Sequence, residues 1–144
     1  MRVTTYPSQF VVLSSLNPNV IKNSIKQLKH HAWIFDKMGL DESPYYSINI
    51  HGGVRDKKIL CSSINELPDN IRKRLTLEND ELSYNVKDLF EIYKSTNIPI
   101  CFDSHHHPFN DASLSGEDAM GLRVLHGGLH SNDAFVEYRP FHGG

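Results

Sequence analysis

A chain of 144 residues fits one ordinary domain rather than two. Apolar residues at 39% and charged residues at 22% read as globular, and no apolar run approaches the roughly 20 residues that cross a bilayer. A formal charge of −2, from 15 Lys+Arg against 17 Asp+Glu, excludes a protein that grips nucleic acid by bulk charge alone, although bound cations would turn a local site positive.

The first residues lack the apolar core of a secretion signal, so a cytoplasmic or nucleoid location is expected. Cys61 and Cys101 stand far apart in the chain, which is no disulfide framework and fits small buried apolar residues. Nine histidines are unevenly spread: His30-His31 form a pair, His105 to His107 a run, and His126, His130 and His142 crowd the end.

In chain order, residues 2–6 read as a short strand ended by Pro7, and residues 9–13 as an apolar extended segment. Asn17-Pro18 begins a helix, with Asn as N-cap and Pro at the first helical position. Ile21, Ile25, Leu28, Ala32 and Phe35 recur along its inner face, Lys22, Lys26 and Lys29 take the other face, and Gly39 stops it. Residues 46–51 are a second strand closed by Gly52-Gly53. Residues 56–67 are helical, and Pro68 opens a further short helix up to Arg74. Residues 75–78 are a third strand. Asn85 caps a helix whose Val86, Leu89, Phe90 and Tyr93 share one face, and residues 100–103 are a fourth strand after the Asn97-Ile98-Pro99 turn.

Strands alternating with helices predict a parallel sheet with helices packed outside it, either a β/α barrel or a doubly wound sheet. After Asn110 no strand–helix unit is legible, and Gly121, Gly127-Gly128 and Gly143-Gly144 interrupt the rest of the chain.

Each strand ends in polar residues with no packing reason to stand there: Tyr6 and then Gln9, His51, Glu78-Asn79-Asp80, and Asp103 with His105 to His107. In parallel β/α folds the C-terminal strand ends share one mouth. His51, Glu78, Asp103 and at least one of the three consecutive histidines are therefore expected to converge. Taken singly, His51 reads as a turn residue, Glu78-Asn79-Asp80 as a solvated loop and the histidine run as an exposed loop; at successive strand ends they read as a metal site. Imidazole with carboxylate suits Zn²⁺, Mn²⁺ or Fe. The two oxygens of Glu78 could serve two ions, and Asp103 and His106 lie three apart on one loop. Such ions acidify a water and clamp a phosphate. Gly52-Gly53 could also offer backbone N–H groups to a phosphate.

These stretches resemble the UV-damage endonucleases. The residues around Tyr6-Pro7-Ser8-Gln9-Phe10 resemble the segment that this family usually writes with a His-Pro-x-Gln core. Ile50-His51-Gly52-Gly53 resembles its His-x-Gly-Gly strand end, and Glu78-Asn79-Asp80 and Asp103-Ser104-His105-His106-His107 resemble the next two motifs in order and spacing. The resemblance covers about the first 110 residues. It implies a TIM-type β/α barrel, incomplete here with about four β/α units over residues 1–110, and an enzyme that nicks damaged double-stranded DNA immediately 5′ of UV photoproducts as a monomer. It implies divalent metal ions, Mn²⁺ first, with Zn²⁺ or Mg²⁺ as alternatives: His51 and Glu78 on one ion, Glu78 and Asp103 on a second, His106 on a third. Glu78, Asp103 and His106 are then catalytic, and Gln9 and Phe10 enter the duplex at the lesion.

Three departures stand out. Tyr6 occupies the position of a ligand histidine, and a phenol is a poor ligand at neutral pH unless the metal lowers its pKa. The family's early strands are not seen before Arg2, nor its later ligands after Asn110. Reading residues 129–138 in a frame shifted by one nucleotide permits a segment like the family's next strand, so residues 111–144 are expected to be a frameshifted tail. The chain alone is accordingly expected to lack appreciable nicking activity. A sugar-isomerase-type barrel and a non-catalytic metal-binding remnant are the competing readings; the Gln9-Phe10 pair after a proline turn argues against the isomerase.

Overall fold

The computed structural model describes residues 1–103 and 106–110. The expectations for residues 111–144 and for His105 lie outside the described residues. Four strands, β1 (Thr4–Thr5), β2 (Ser47–His51), β3 (Leu75–Glu78) and β4 (Ile100–Cys101), form one sheet in the order β1-β2-β3-β4, and every pairing is parallel. Helices α1 (Pro18–Lys37), α2 (Lys57–Asn65), α3 (Asp69–Arg72) and α4 (Val86–Thr96) alternate with them, and a 3-10 turn spans His107–Phe109. The chain is thus α/β, with four parallel strands alternating with helices.

The helix ends follow from their sequence. The Asn17 side chain accepts from the Asn19 N–H at 3.0 Å, with Pro18 as the first helical residue. At the other end Gly39 takes φ +70°, and its N–H donates to Asp36 O while that of Leu40 donates to Phe35 O, both at 3.0 Å. This paired closure uses two otherwise orphaned carbonyls. Arg74, almost wholly buried, extends it. Its guanidinium donates to Leu40 O at 2.6 Å and Asp41 O at 3.2 Å and pairs with Asp36 at 2.7 Å. A reciprocal box of Asn85 and Asp88 opens α4, and Asn97 in the left-handed region (φ 59°) closes it.

The strands carry a two-residue alternation that places the site. Ile48, Ile50, Leu75 and Leu77 belong to the apolar core with Leu28, Ala32, Phe35, Leu60, Ile64, Leu89 and Ile92. Ser47, Asn49 and His51 on β2, and Thr76 and Glu78 on β3, point to the opposite face. That face is polar yet buried up to the strand ends, with only His51 of the five exposed.

Several details differ from the sequence reading. β1 and β4 are each two residues long, because each lies at a sheet edge and pairs with a single neighbour, and that pairing ends before the chain turns away. Residues 9–13 form no strand; Val11 N donates back to Ser8 O at 3.0 Å and closes a turn. On α1, Ser24 is buried while Ile21 and Ile25 are only half-buried, since the Ser24 hydroxyl accepts from Val12 N at 2.8 Å and donates to Val20 O. On α4 the buried positions include Val86, Leu89 and Ile92, while Phe90 and Tyr93 stack on each other at 6.2 Å on a half-buried flank. Cys101 is buried and Cys61 half-buried, and neither forms a disulfide.

Candidate metal centre

The β2–β3 register sets His51 directly beside Glu78 at the C-terminal ends of their strands. After β4 the chain turns, and the N–H of His106 donates to the Asp103 carboxylate at 3.2 Å. This brings the His106 ring back over β2, where it meets the His51 ring edge to face. One ligand atom from each of His51, Glu78 and His106 then lies within 4.8 Å of the others. Three of the four expected ligands thus share one spot. Asp103 stands beside that group: its carboxylate is 3.8 Å from His106 Nε2.

The donor set of two imidazoles and one buried carboxylate fits a divalent transition-metal ion. Burial holds the His51 pKa below its ordinary 6.5, with Asp80 opposing the shift and the neighbouring His106 adding to it. A neutral ring is the form that binds a metal. Of the histidine run, His106 faces the site, while His107 is buried against the ring of Phe102 at 5.3 Å.

Sequence reasoning missed Asn49 and Thr76 beneath the candidate ligands. Asn49, 2% exposed, donates through Nδ2 to Oε2 of Glu78, and the Thr76 hydroxyl donates to Asn49 Oδ1 at 2.9 Å. Asn79 exchanges two hydrogen bonds with the Asp103 backbone, accepting from its N–H at 2.7 Å and donating to its carbonyl at 2.9 Å. The signal was present: Asn49 and Thr76 each lie two residues before a ligand, on the same strand face. Asp80 uses its carboxylate to accept from the N–H groups of Leu82, at 2.7 Å, and Ser83, which shapes a loop that walls the cavity at the site.

A cavity of about 510 Å³ opens at the two imidazoles, with Tyr6, Gln9, His51, Asp80 and His106 among its walls. Gln9 and Phe10 occupy the two central positions of the turn closed by Ser8 and Val11, and Phe10 is 71% exposed. The base of the turn is anchored by Ser8 to Gln27 on α1 at 3.1 Å and by buried Val11. Gly52 is buried under the ring of Tyr84, and Gly53 takes φ +85° against Val12. The glycine pair therefore has a packing reason, close approach of neighbouring segments.

The family model described as UV-endonuclease UvdE matches residues 1–124. The chain is 45% identical over 107 residues to the UV DNA damage endonuclease of Nostoc sp., covering 74% of this chain and 33% of that protein. It is 38% identical over 119 residues to the UV DNA damage endonuclease of Deinococcus radiodurans, covering 82% of this chain and 39% of that one. The crystal structure of SacUVDE superposes with a TM-score of 0.79 at 36% identity, over 84% of this chain and 43% of the other. The chain thus spans between a third and two fifths of the length of these curated relatives. With the family match running through every strand that carries a candidate ligand, the chain belongs to the UvdE family of UV endonucleases.

Proposed function

We propose that this chain supplies about four β/α units, residues 1–110, of a TIM-type barrel enzyme that nicks duplex DNA 5′ of UV photoproducts by metal-dependent hydrolysis. The observation that supports it most is the meeting of His51, Glu78 and His106 at the strand ends, under a cavity walled by Gln9. Two imidazoles favour Mn²⁺ or Zn²⁺ over Mg²⁺, which prefers oxygen ligands. A divalent cation there would acidify a water and neutralise charge on a phosphate oxygen.

The residues divide the work. His51, Glu78 and His106 would hold the cation, and Asp103, beside His106, is the second carboxylate, able to hold a further cation with Glu78. Glu78, Asp80 and Asp103 together oppose a phosphate by like charge unless cations are bound, so DNA binding and metal binding are coupled. Gln9 and Phe10, at the tip of an anchored turn, would enter the gap beside a damaged base pair. No helix among the described residues is long and apolar enough to cross a membrane.

A chimera tests this reading. Residues 1–110 of this chain replace the matching segment of the Deinococcus radiodurans UV DNA damage endonuclease, and UV-irradiated plasmid is offered with Mn²⁺ or with EDTA. Incision with Mn²⁺, abolished by EDTA and by Glu78→Ala, is expected. A folded chimera that binds Mn²⁺ without incising would favour the non-catalytic reading instead.

A further inference from the structure

We propose that Asn49 is a positioning residue for the metal centre, its amide locked by Thr76 so that it fixes the orientation of the Glu78 carboxylate. The inference rests on the metal reading above and concerns which residue holds the ligand rather than which residues are ligands.

Asn49 lies in a strand between Ile48 and Ile50, and it pairs across the ladder with Thr76 between Leu75 and Leu77. A buried amide costs free energy unless both its ends are satisfied, even on the polar face of the sheet. Here both ends are engaged. The Thr76 hydroxyl donates to Oδ1 at 2.9 Å, and Nδ2 faces Oε2 of Glu78, whose acceptor oxygen sets the amide orientation since a hydroxyl would suit either. The reversed amide would set Oδ1 against a carboxylate oxygen, two acceptors facing each other. Thr76 and Glu78 lie on the same face of β3, as Asn49 and His51 do on β2, so the relay runs under the ligands from strand to strand. A carboxylate held this way does not have to lose its rotational freedom when a cation arrives. Outer partners of this kind typically change metal affinity by about 10- to 100-fold.

The test measures Mn²⁺ affinity of the full chain by calorimetry and by loss of the free-ion EPR signal, with thermal melting in the absence of metal beside it. Thr76→Val is close to isosteric and removes only the hydroxyl; Asn49→Leu removes the amide. Both are expected to weaken Mn²⁺ binding by about 10-fold or more, and Thr76→Ser, which keeps the hydroxyl, is expected to restore it. A merely structural role would shift the metal-free melting and leave the dissociation constant alone. If Asn49→Leu does not fold, Thr76→Val decides by itself. A dissociation constant within about twofold of the wild type in the folded variants, far below the loss expected of an outer partner, overturns the positioning role and leaves the metal site standing. A wild-type chain that binds no Mn²⁺ overturns both.

Discussion

His51 and His106 meet edge to face, ring centroids 5.6 Å apart and planes at 79°, although one closes β2 and the other follows β4. Burial, with His106 beside it, keeps the His51 pKa below its ordinary value, and Glu78 lies within reach of both rings. This convergence is the arrangement that the proposed shared cation would need.

The three candidate donors are expected to contribute unequally. Glu78 is the buried carboxylate of the group, and the other two donors are imidazoles. Glu78→Ala is therefore expected to remove more bound Mn²⁺ than His51→Ala or His106→Ala. Elemental analysis of the purified chain, dialysed against Mn²⁺, reads this directly. Equal metal content in Glu78→Ala and wild type would overturn the site.

The Gln9-Phe10 turn should act on recognition and not on metal. In a chimera carrying residues 1–110, Gln9→Ala and Phe10→Ala are expected to lower the ratio of incision on photoproduct-bearing to intact oligonucleotides, with Mn²⁺ content unchanged. Phe10, largely exposed, has little folding role to lose. An unchanged ratio in both variants would remove the wedge role.

Gly52 should tolerate no side chain. A methyl group there would overlap the ring of Tyr84, itself held by a 2.7 Å bond from its hydroxyl to Val54 O. Overpacking of this kind costs about 1–3 kcal/mol. Gly52→Ala is thus expected to lower the urea midpoint of the chain, which is measured by circular dichroism. A midpoint equal to wild type would mean that the ring moves aside freely.

His31 should make stability depend on pH. Burial, with His30 beside it, lowers its pKa below 6.5 in the folded chain, and its Nδ1 lies 2.9 Å from the Thr5 hydroxyl. The folded state thus binds the proton less readily than the unfolded state. Its contribution is complete above pH 6.5 and is lost as pH falls through the lowered folded value. His31→Gln is expected to shrink the loss of stability between about pH 7.5 and about pH 5.5, a window that brackets the ordinary histidine value, measured by urea unfolding. An identical loss in the variant would refute the assignment.

The linear pattern of residues was enough for the order of elements, the ends of α1 and α4, the span of β3, and the placing of His51, Glu78, Asp103 and His106 at strand ends. These are local properties: caps, turn residues and two- or 3.6-residue periods are read within one element. Three things needed the tertiary structure. Which of His106 and His107 faces the site depended on the backbone after Asp103, whose bond from the His106 N–H has no counterpart in composition. Ser24 takes a buried position while Ile21 and Ile25 stay half-buried, because a loop backbone, Val12, reaches it from outside the helix. Asn49 and Thr76 looked like interruptions in apolar strands. Only the β2–β3 register, by setting Asn49 against Thr76 and His51 against Glu78, places them side by side beneath the candidate ligands. A pairing across strands is a relation between distant segments, and no single segment carries it.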